Sequence, residues 1–262
     1  SLISFSLPHG FTSITNSMTS FNSIELEILP EKYNMYDKII VGDDLQYKNF
    51  IRGGIHENKL LMLNSLKYTI SWKEYFDSTF SCKALDLKCK NRITLLVILT
   101  QLNANISKNE FFRMMRIILN IDYIDIIIKA HPRATYDVVR IKKYFKDLSK
   151  INFHNGHLCD AISSSNIIIS MPSSAIIDAV MHEKPVLYLP YMSSSTLNPY
   201  LVEFVTVLNN PDEFYIFMQS LNDNIKNIKT VNLETQKLDD LILEWNENVP
   251  LNLSSKGVDV RL

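Results

Sequence analysis

Cysteine is scarce in this chain of 262 residues: Cys82, Cys89 and Cys159 are its three. An odd number without the paired short spacing of zinc knuckles indicates neither a disulfide framework nor a structural metal, and a reducing compartment fits best. A dominant charge is missing as well. Lysine and arginine number 27 against 28 aspartates and glutamates, a formal net charge of -1 with a sequence pI near 6.6. Domains that live on phosphate backbones carry a cationic excess, so nucleic acid is not the expected partner. Long hydrophobic runs are absent too: Ile93 to Leu99 and Ile126 to Ile128 fall far short of the ~20 apolar residues that cross a bilayer. Ser1 to Gly10 hold a short apolar stretch with neither a preceding basic region nor a small-residue cleavage pattern, so no signal peptide is assigned. The chain opens on Ser1 without a methionine, which raises the expectation of an N-terminally trimmed piece.

What is present is a composition of 46% hydrophobic, 10% aromatic and 21% charged residues, which excludes disorder. At ~150 residues per domain the length predicts two lobes or one large domain. From Asn91 onward short β-branched runs alternate with helical stretches, the pattern of βαβ units around a parallel sheet. Strands are expected at Ile93 to Thr100, Asp125 to Ala130, Ile151 to His154, Asn166 to Ser170 and Val186 to Leu189. Helices are expected at Lys108 to Asn120 beneath a Ser107 cap, near Tyr136 to Leu148, at Leu158 to Ser164 and at Ala175 to His182. In the second of these Val138, Val139, Ile141, Tyr144, Phe145 and Leu148 form the expected apolar face. Right-handed crossovers would bring every strand-to-helix loop to one edge, where ligands bind.

The front of the chain is sparser, with strands at Leu2 to Phe5, Lys38 to Val41 and Lys59 to Leu63 and a helix at Asp44 to Arg52. The expected fold is therefore α/β: a Rossmann-like C-terminal lobe with a parallel sheet over residues 91–225, and a partial N-terminal lobe over 1–72. Residues 73–90 connect them, and 226–262 form a tail whose Leu233, Leu238, Leu241, Ile242 and Trp245 share one helical face.

Two sites stand out on the expected ligand edge. His131-Pro132 directly follows one apolar strand, flanked by Lys129 and Arg133, and Ser173-Ser174 directly follows another and precedes a helix. Serine hydroxyls and the first free N–H groups of that helix would converge on an anion such as phosphate. A histidine beside them could donate to a phosphate oxygen and stabilise charge on a leaving phosphate. Taken singly, Ser-Ser before a helix reads as an N-cap and His-Pro after a strand as a turn. Their common edge is what points to an anion or nucleotide site. His56, His154, His157 and His182 read as surface or turn residues, and Phe111, Phe112, Tyr144 and Phe145 as core.

The run Ile127-Ile128-Lys129-Ala130-His131-Pro132-Arg133, the later Ser164 to Ala179 with its Met171-Pro172-Ser173-Ser174, and Lys184-Pro185-Val186 resemble the nucleotide-binding half of GT-B transferases. The families most similar are the CDP-glycerol glycerophosphotransferases of teichoic-acid-type polymers and the capsule polysaccharide transferases. Their pattern runs Lys-x-His-Pro, then a Ser-Ser loop, an acidic residue and Lys-Pro. Ser6-Leu7-Pro8-His9-Gly10 resembles their His-Gly loop, and Tyr36 to Val41 with Gly54 and Asn64-Ser65 resembles the segment leading out of their first lobe. The resemblance spans roughly residues 5 to 220.

It implies a transferase that moves a sugar or polyol phosphate from a nucleotide-activated donor of CMP, CDP or UDP type to a glycan or polyol-phosphate acceptor of a bacterial surface polymer. His131 would contact the donor phosphates, with Lys129, Arg133, Ser173 and Ser174 beside it. His9 would be the general base on the acceptor hydroxyl, and Asp178 would reach the ribose hydroxyls. The resemblance implies no metal and no resident cofactor, and a cytoplasmic place, peripheral to the membrane's inner face where the acceptor is anchored. Bacterial sialyltransferases share His-Pro and Ser-Ser but add an acidic-acidic-Gly triplet that this chain lacks, and Pro8 and Met171-Pro172 depart from the teichoic pattern. Two rivals stand beside the transferase: a nucleotide-sugar 2-epimerase, which needs no acceptor, and a nucleotide-binding module inactive alone.

Overall fold

A computed structural model describes residues 5–6, 33, 35–41, 44–62, 78, 92–100, 102, 106–131, 134–195, 197, 199–202 and 204–228. The chain divides into two compact units. The first holds a parallel sheet of three strands in the order β1 (Phe5–Ser6), β2 (Lys38–Val41), β3 (Leu60–Met62). Helix α1 (Asp44–Arg52) connects β2 to β3 and packs Phe50 against Ile39, Val41, Ile55 and Leu60. Its end explains Gly54. The N–H of Gly54 donates to the Ile51 carbonyl and that of Ile55 to the Phe50 carbonyl, a Schellman closure that needs the left-handed φ of 85° found at this glycine. The connection expected over 73–90 and the tail helix expected at 233–245 fall outside the described residues, apart from Ser78.

The second unit is built on six strands, all parallel: β4 (Ile93–Leu99), β5 (Ile124–Ala130), β6 (Ile151–Phe153), β7 (Ile167–Ser170), β8 (Val186–Tyr188) and β9 (Thr206–Val207). Their spatial order is β6-β5-β4-β7-β8-β9. Every residue of β4 is buried, because helices cover both faces and leave no side for polar residues. On one face Leu95, Val97, Leu99, Ile126, Ile128, Ile167 and Ile169 join Phe111 and Met115 of α2 (Lys108–Leu119) and Phe214 and Met218 of α7 (Pro211–Ile228). The opposite face, with Leu96, Ile98, Ile127 and Ile168, is covered by the buried Ala161, Ile162, Ile176, Ala179 and Val180 of α4 (Leu158–Ser163) and α5 (Ala175–Met181). No helix among the described residues is long and apolar enough to cross a membrane.

The expected strands and helices of this unit form, with Ser107 Oγ accepting from the Glu110 N–H at 3.4 Å as cap of α2. Phe111, Phe112 and Phe145 are core, whereas Tyr144, expected with them, is 47% exposed and stacks on Phe112 at 4.0 Å from outside. Helix α3 (Thr135–Tyr144) departs from expectation: Val139 is 60% exposed, and the buried face runs through Ala134, Asp137, Ile141 and Phe145. Steps of three and four from Ala134 and Ile141 select 137 and 138, and Val139 lies on the opposite side of the helix. Helix α7 was not expected at all. Asn210 Oδ1 accepts the N–H groups of Asp212 and Glu213 at 3.1 and 2.9 Å, with Pro211 in the first turn, and Phe214, Met218 and Leu221 supply its buried stripe. A last four-residue helix, α6 (Pro199–Val202), lies between β8 and β9.

Candidate functional site

The strand order fixes where the site lies. From β4 the chain moves to β5 on one side, whereas from β7 it moves to β8 on the other, so the loops after β4 and β7 diverge and open a crevice at the carboxyl edge between them. In register, Ile98 pairs with Lys129 on one side and with Ser170 on the other, and Ser170 pairs with Tyr188. The N–H of His154 donates to the Ile128 carbonyl at 3.0 Å, which sets His154 level with Lys129. His154, Lys129, Ile98, Ser170 and Tyr188 thus form one row on the α4–α5 face, where all but Ile98 are polar. The residues one step earlier, Phe153, Ile128, Val97, Ile169 and Leu187, point to the opposite face and are wholly apolar.

His131 lies two residues beyond Lys129, past the Leu99–Ala130 pair that ends the ladder. Its N–H donates to the Leu99 carbonyl at 2.8 Å and extends the β4–β5 ladder, while its own carbonyl accepts from Ala134 at 2.7 Å. The backbone is fixed on both sides and the side chain is exposed. By alternation His131 and Lys129 share a face, and Lys129 stands two strand spacings from Ser170, about 10 Å. Ser170 is fully buried and its hydroxyl donates to the Met171 carbonyl at 2.8 Å, which turns the chain toward Ser173.

The serine pair behaves differently from expectation. The N–H of Ala175 donates to Ser173 Oγ at 3.3 Å, that of Ile176 to the Ser173 carbonyl at 3.1 Å and that of Ile177 to the Ser174 carbonyl at 3.0 Å. The leading amides of α5 are therefore answered within the chain, that of Ala175 by the Ser173 hydroxyl two residues before it. Ser174 makes no cap bond with its side chain, and both serines are half-buried beside the crevice. Asp178 is half-buried one turn into α5, where its carbonyl faces His182 Nδ1 at 2.7 Å. Lys129, His131, Ser173 and Ser174 are thus brought to one edge, while His9 and Arg133 lie outside the described residues.

Lys184 of the Lys-Pro pair lies away from this edge, in the turn that enters β8. Its ammonium donates to the Ser165 carbonyl at 2.9 Å, and burial pushes its pKa down. Its part is to brace the turn between α4 and β7.

Other groups at this edge carry no motif. The His154 ring is nearly buried rather than a surface residue: Nε2 lies 2.9 Å from the His157 carbonyl and 4.0 Å from Asp160 Oδ2. Gly156 covers it, since a Cβ there would stand 2.7 Å from His154 Cε1. The dipeptide Asn155-Gly156 marked this turn in the sequence without revealing the imidazole beneath. Tyr188 accepts the Leu197 N–H at 3.2 Å, and its burial raises the phenol pKa against that bond. Among the described residues no three or more His, Cys, Asp or Glu side chains gather to hold a metal ion.

No protein-family model matches the chain, and no curated protein does. Solved structures do. HepE of Anabaena in complex with UDP and glucose superposes with a TM-score of 0.59 at 11% identity, covering 96% of this chain and 71% of that one. The same protein in complex with UDP gives 0.56, again at 11% identity, over 96% and 72%. UDP-GlcNAc 2-epimerase from Neisseria meningitidis bound to UDP-GlcNAc gives 0.51 at 13% identity over 74% of this chain, which spans only 56% of the epimerase. Similarity at these identities is similarity of fold, and it establishes this chain as an α/β protein with parallel Rossmann-like sheets of the GT-B type.

Proposed function

We propose that the chain binds a nucleotide sugar at the crevice between β4 and β7 and transfers the activated group to an acceptor of a bacterial surface polymer. The observation that carries this reading is the convergence of His131, Lys129 and the Ser173–Ser174 turn on the switch-point edge of a six-stranded parallel sheet. Its support from outside is that HepE, similar in fold over 96% of this chain, was solved with UDP and glucose.

The chemistry follows from charge. When the bond from the transferred group to the donor diphosphate breaks, negative charge grows on the leaving phosphate. Donors fixed in place before reaction stabilise that charge without reorganising. His131, held by backbone bonds on both sides, would donate to a phosphate oxygen, and Lys129 would add a cation from the next row down. Ser174 would supply a hydroxyl, Arg133 a second cation, and Asp178 an acceptor for ribose hydroxyls. His9 remains the proposed base that takes the acceptor proton. The donor is a substrate, and no resident cofactor enters this scheme.

The test is thermal unfolding with CMP, CDP, UDP, GDP and ADP, for the wild type, His131→Ala and the double variant Ser173→Ala/Ser174→Ala. A ligand that binds only the folded state adds ~2.7 kcal/mol at a hundredfold excess over its dissociation constant. UDP or another pyrimidine nucleotide should raise the wild-type midpoint and raise it less in both variants. No response to any of the five overturns the nucleotide site. The epimerase similarity favours a second reading, which release of UDP and N-acetylmannosamine from UDP-N-acetylglucosamine without acceptor would support.

A further inference from the structure

Leu102, Ile106 and Ser107 follow β4, whose carboxyl end borders the crevice. These residues are held from two sides. On one side Ile106 pairs antiparallel with Ser193, and the Ser107 N–H donates to the Met192 carbonyl at 2.8 Å, tying this loop to the one after β8. On the other side the Asp137 side chain reaches Leu102. Asp137 Oδ2 accepts the Leu102 N–H at 3.0 Å in a buried bond between residues 35 apart in sequence.

Asp137 is 5% exposed, in the first turn of α3, three residues beyond the Ala134 that closes the His131 turn. A carboxylate in a helix's first turn gains from the dipole while remaining in water, so the dipole does not explain why this one is buried. Burying a carboxylate is costly unless its oxygens are answered. Here one oxygen takes the Leu102 amide and the other lies 3.5 Å from Arg140 Nη1.

We propose that Asp137 is a positioning residue for the nucleotide site: its carboxylate ties Leu102, just after β4, to the first turn of the helix that follows His131, so that the β4 border of the crevice and His131 keep one spacing. The inference rests on the nucleotide reading above. It requires an acceptor oxygen at position 137 more than a charge, which makes the conservative variant informative.

UDP affinity by calorimetry and amide exchange by NMR are measured on the full chain as wild type, Asp137→Asn, Asp137→Leu and Asp137→Ser. Asn retains an acceptor for the Leu102 N–H, Leu removes it at similar volume, and Ser, smaller and polar, is too short to reach it and serves if the Leu variant does not fold. Loss of the acceptor for a buried amide predicts about tenfold weaker UDP binding in the Leu and Ser variants, and rescue to near wild type in Asn. Exchange at Leu102 should rise in step, while Leu95 and Val97 stay protected. Unchanged exchange at Leu102 overturns the proposal, and so does faster exchange with unchanged UDP affinity, which would leave the bond purely structural. A wild type that binds no UDP overturns the nucleotide reading instead, and takes the positioning role with it whatever Leu102 does.

Discussion

Tyr191 shows how a residue outside any motif shapes the protein's response to its medium. Burial first, and then the Glu110 carboxylate, push its phenol well above the usual value of 10.0, with Arg113 opposing them. Below pH 10 the phenol is neutral folded or unfolded and pH has no hold on it. Above pH 10 the unfolded chain ionises first, so stability is lost as pH rises toward the folded-state value. Tyr191→Phe should therefore remove part of the alkaline loss. Urea midpoints measured from pH 8 to 11 should fall less steeply in the variant, and parallel curves would refute the burial of this phenol. At this scale the sequence was legible where chemistry coincides with punctuation. His131 announced itself as His-Pro after an apolar run, and the Ser pair as a cap before a helix. Asp137 did not, because its partner Leu102 lies on another element, and an aspartate in a first helical turn looks the same whether it faces water or a neighbouring loop.

Between residue and fold, helix ends carry the next prediction. Helix α5 closes with the Glu183 N–H on the Val180 carbonyl and the Lys184 N–H on the Ala179 carbonyl, the same closure that ends α1. In α1 the left-handed position is Gly54; in α5 it is Glu183, at φ 55°. A non-glycine residue there costs roughly 1–2 kcal/mol, partly offset by the greater unfolded-state freedom of glycine. Glu183→Gly should be stabilising by up to ~1 kcal/mol, a rise of about 2–4 °C in Tm for a chain of this size. A lowered midpoint would mean that the glutamate side chain contributes more than its backbone costs. Elements were legible in proportion to their burial. β4 and β5 read as largely apolar runs because both faces are covered, whereas β9, with two residues, has no run to read. Helix α7 had its signal in Asn210-Pro211-Asp212-Glu213 followed by Phe214, Met218 and Leu221, a cap and a stripe that the strand pattern around it obscured.

For the whole molecule, strand order is the property that matters and the one a sequence states least. Alternation of strands and helices implied a parallel sheet, but each new strand could have joined either border. The choice that set β7 beside β4 rather than beside β6 created the crevice. It also ranks the strands by stability. β4 is paired on both sides along most of its length and buried on both faces, so the Leu95 and Val97 amides should exchange only on global unfolding, and those of β9 fastest among the strands of this sheet. Uniform exchange across the six strands would contradict this gradient.

The same arrangement bears on how the protein keeps to itself. The sheet tapers from seven residues in β4 and β5 to three in β6 at one border and two in β9 at the other. A border strand is where unpaired N–H and C=O groups invite a foreign strand to add. Here the long, sticky, isoleucine-rich strands are interior, and the borders present too few groups to seed a second sheet. The order of strands that opens a binding crevice at the centre is therefore also what leaves the margins poor templates for aggregation.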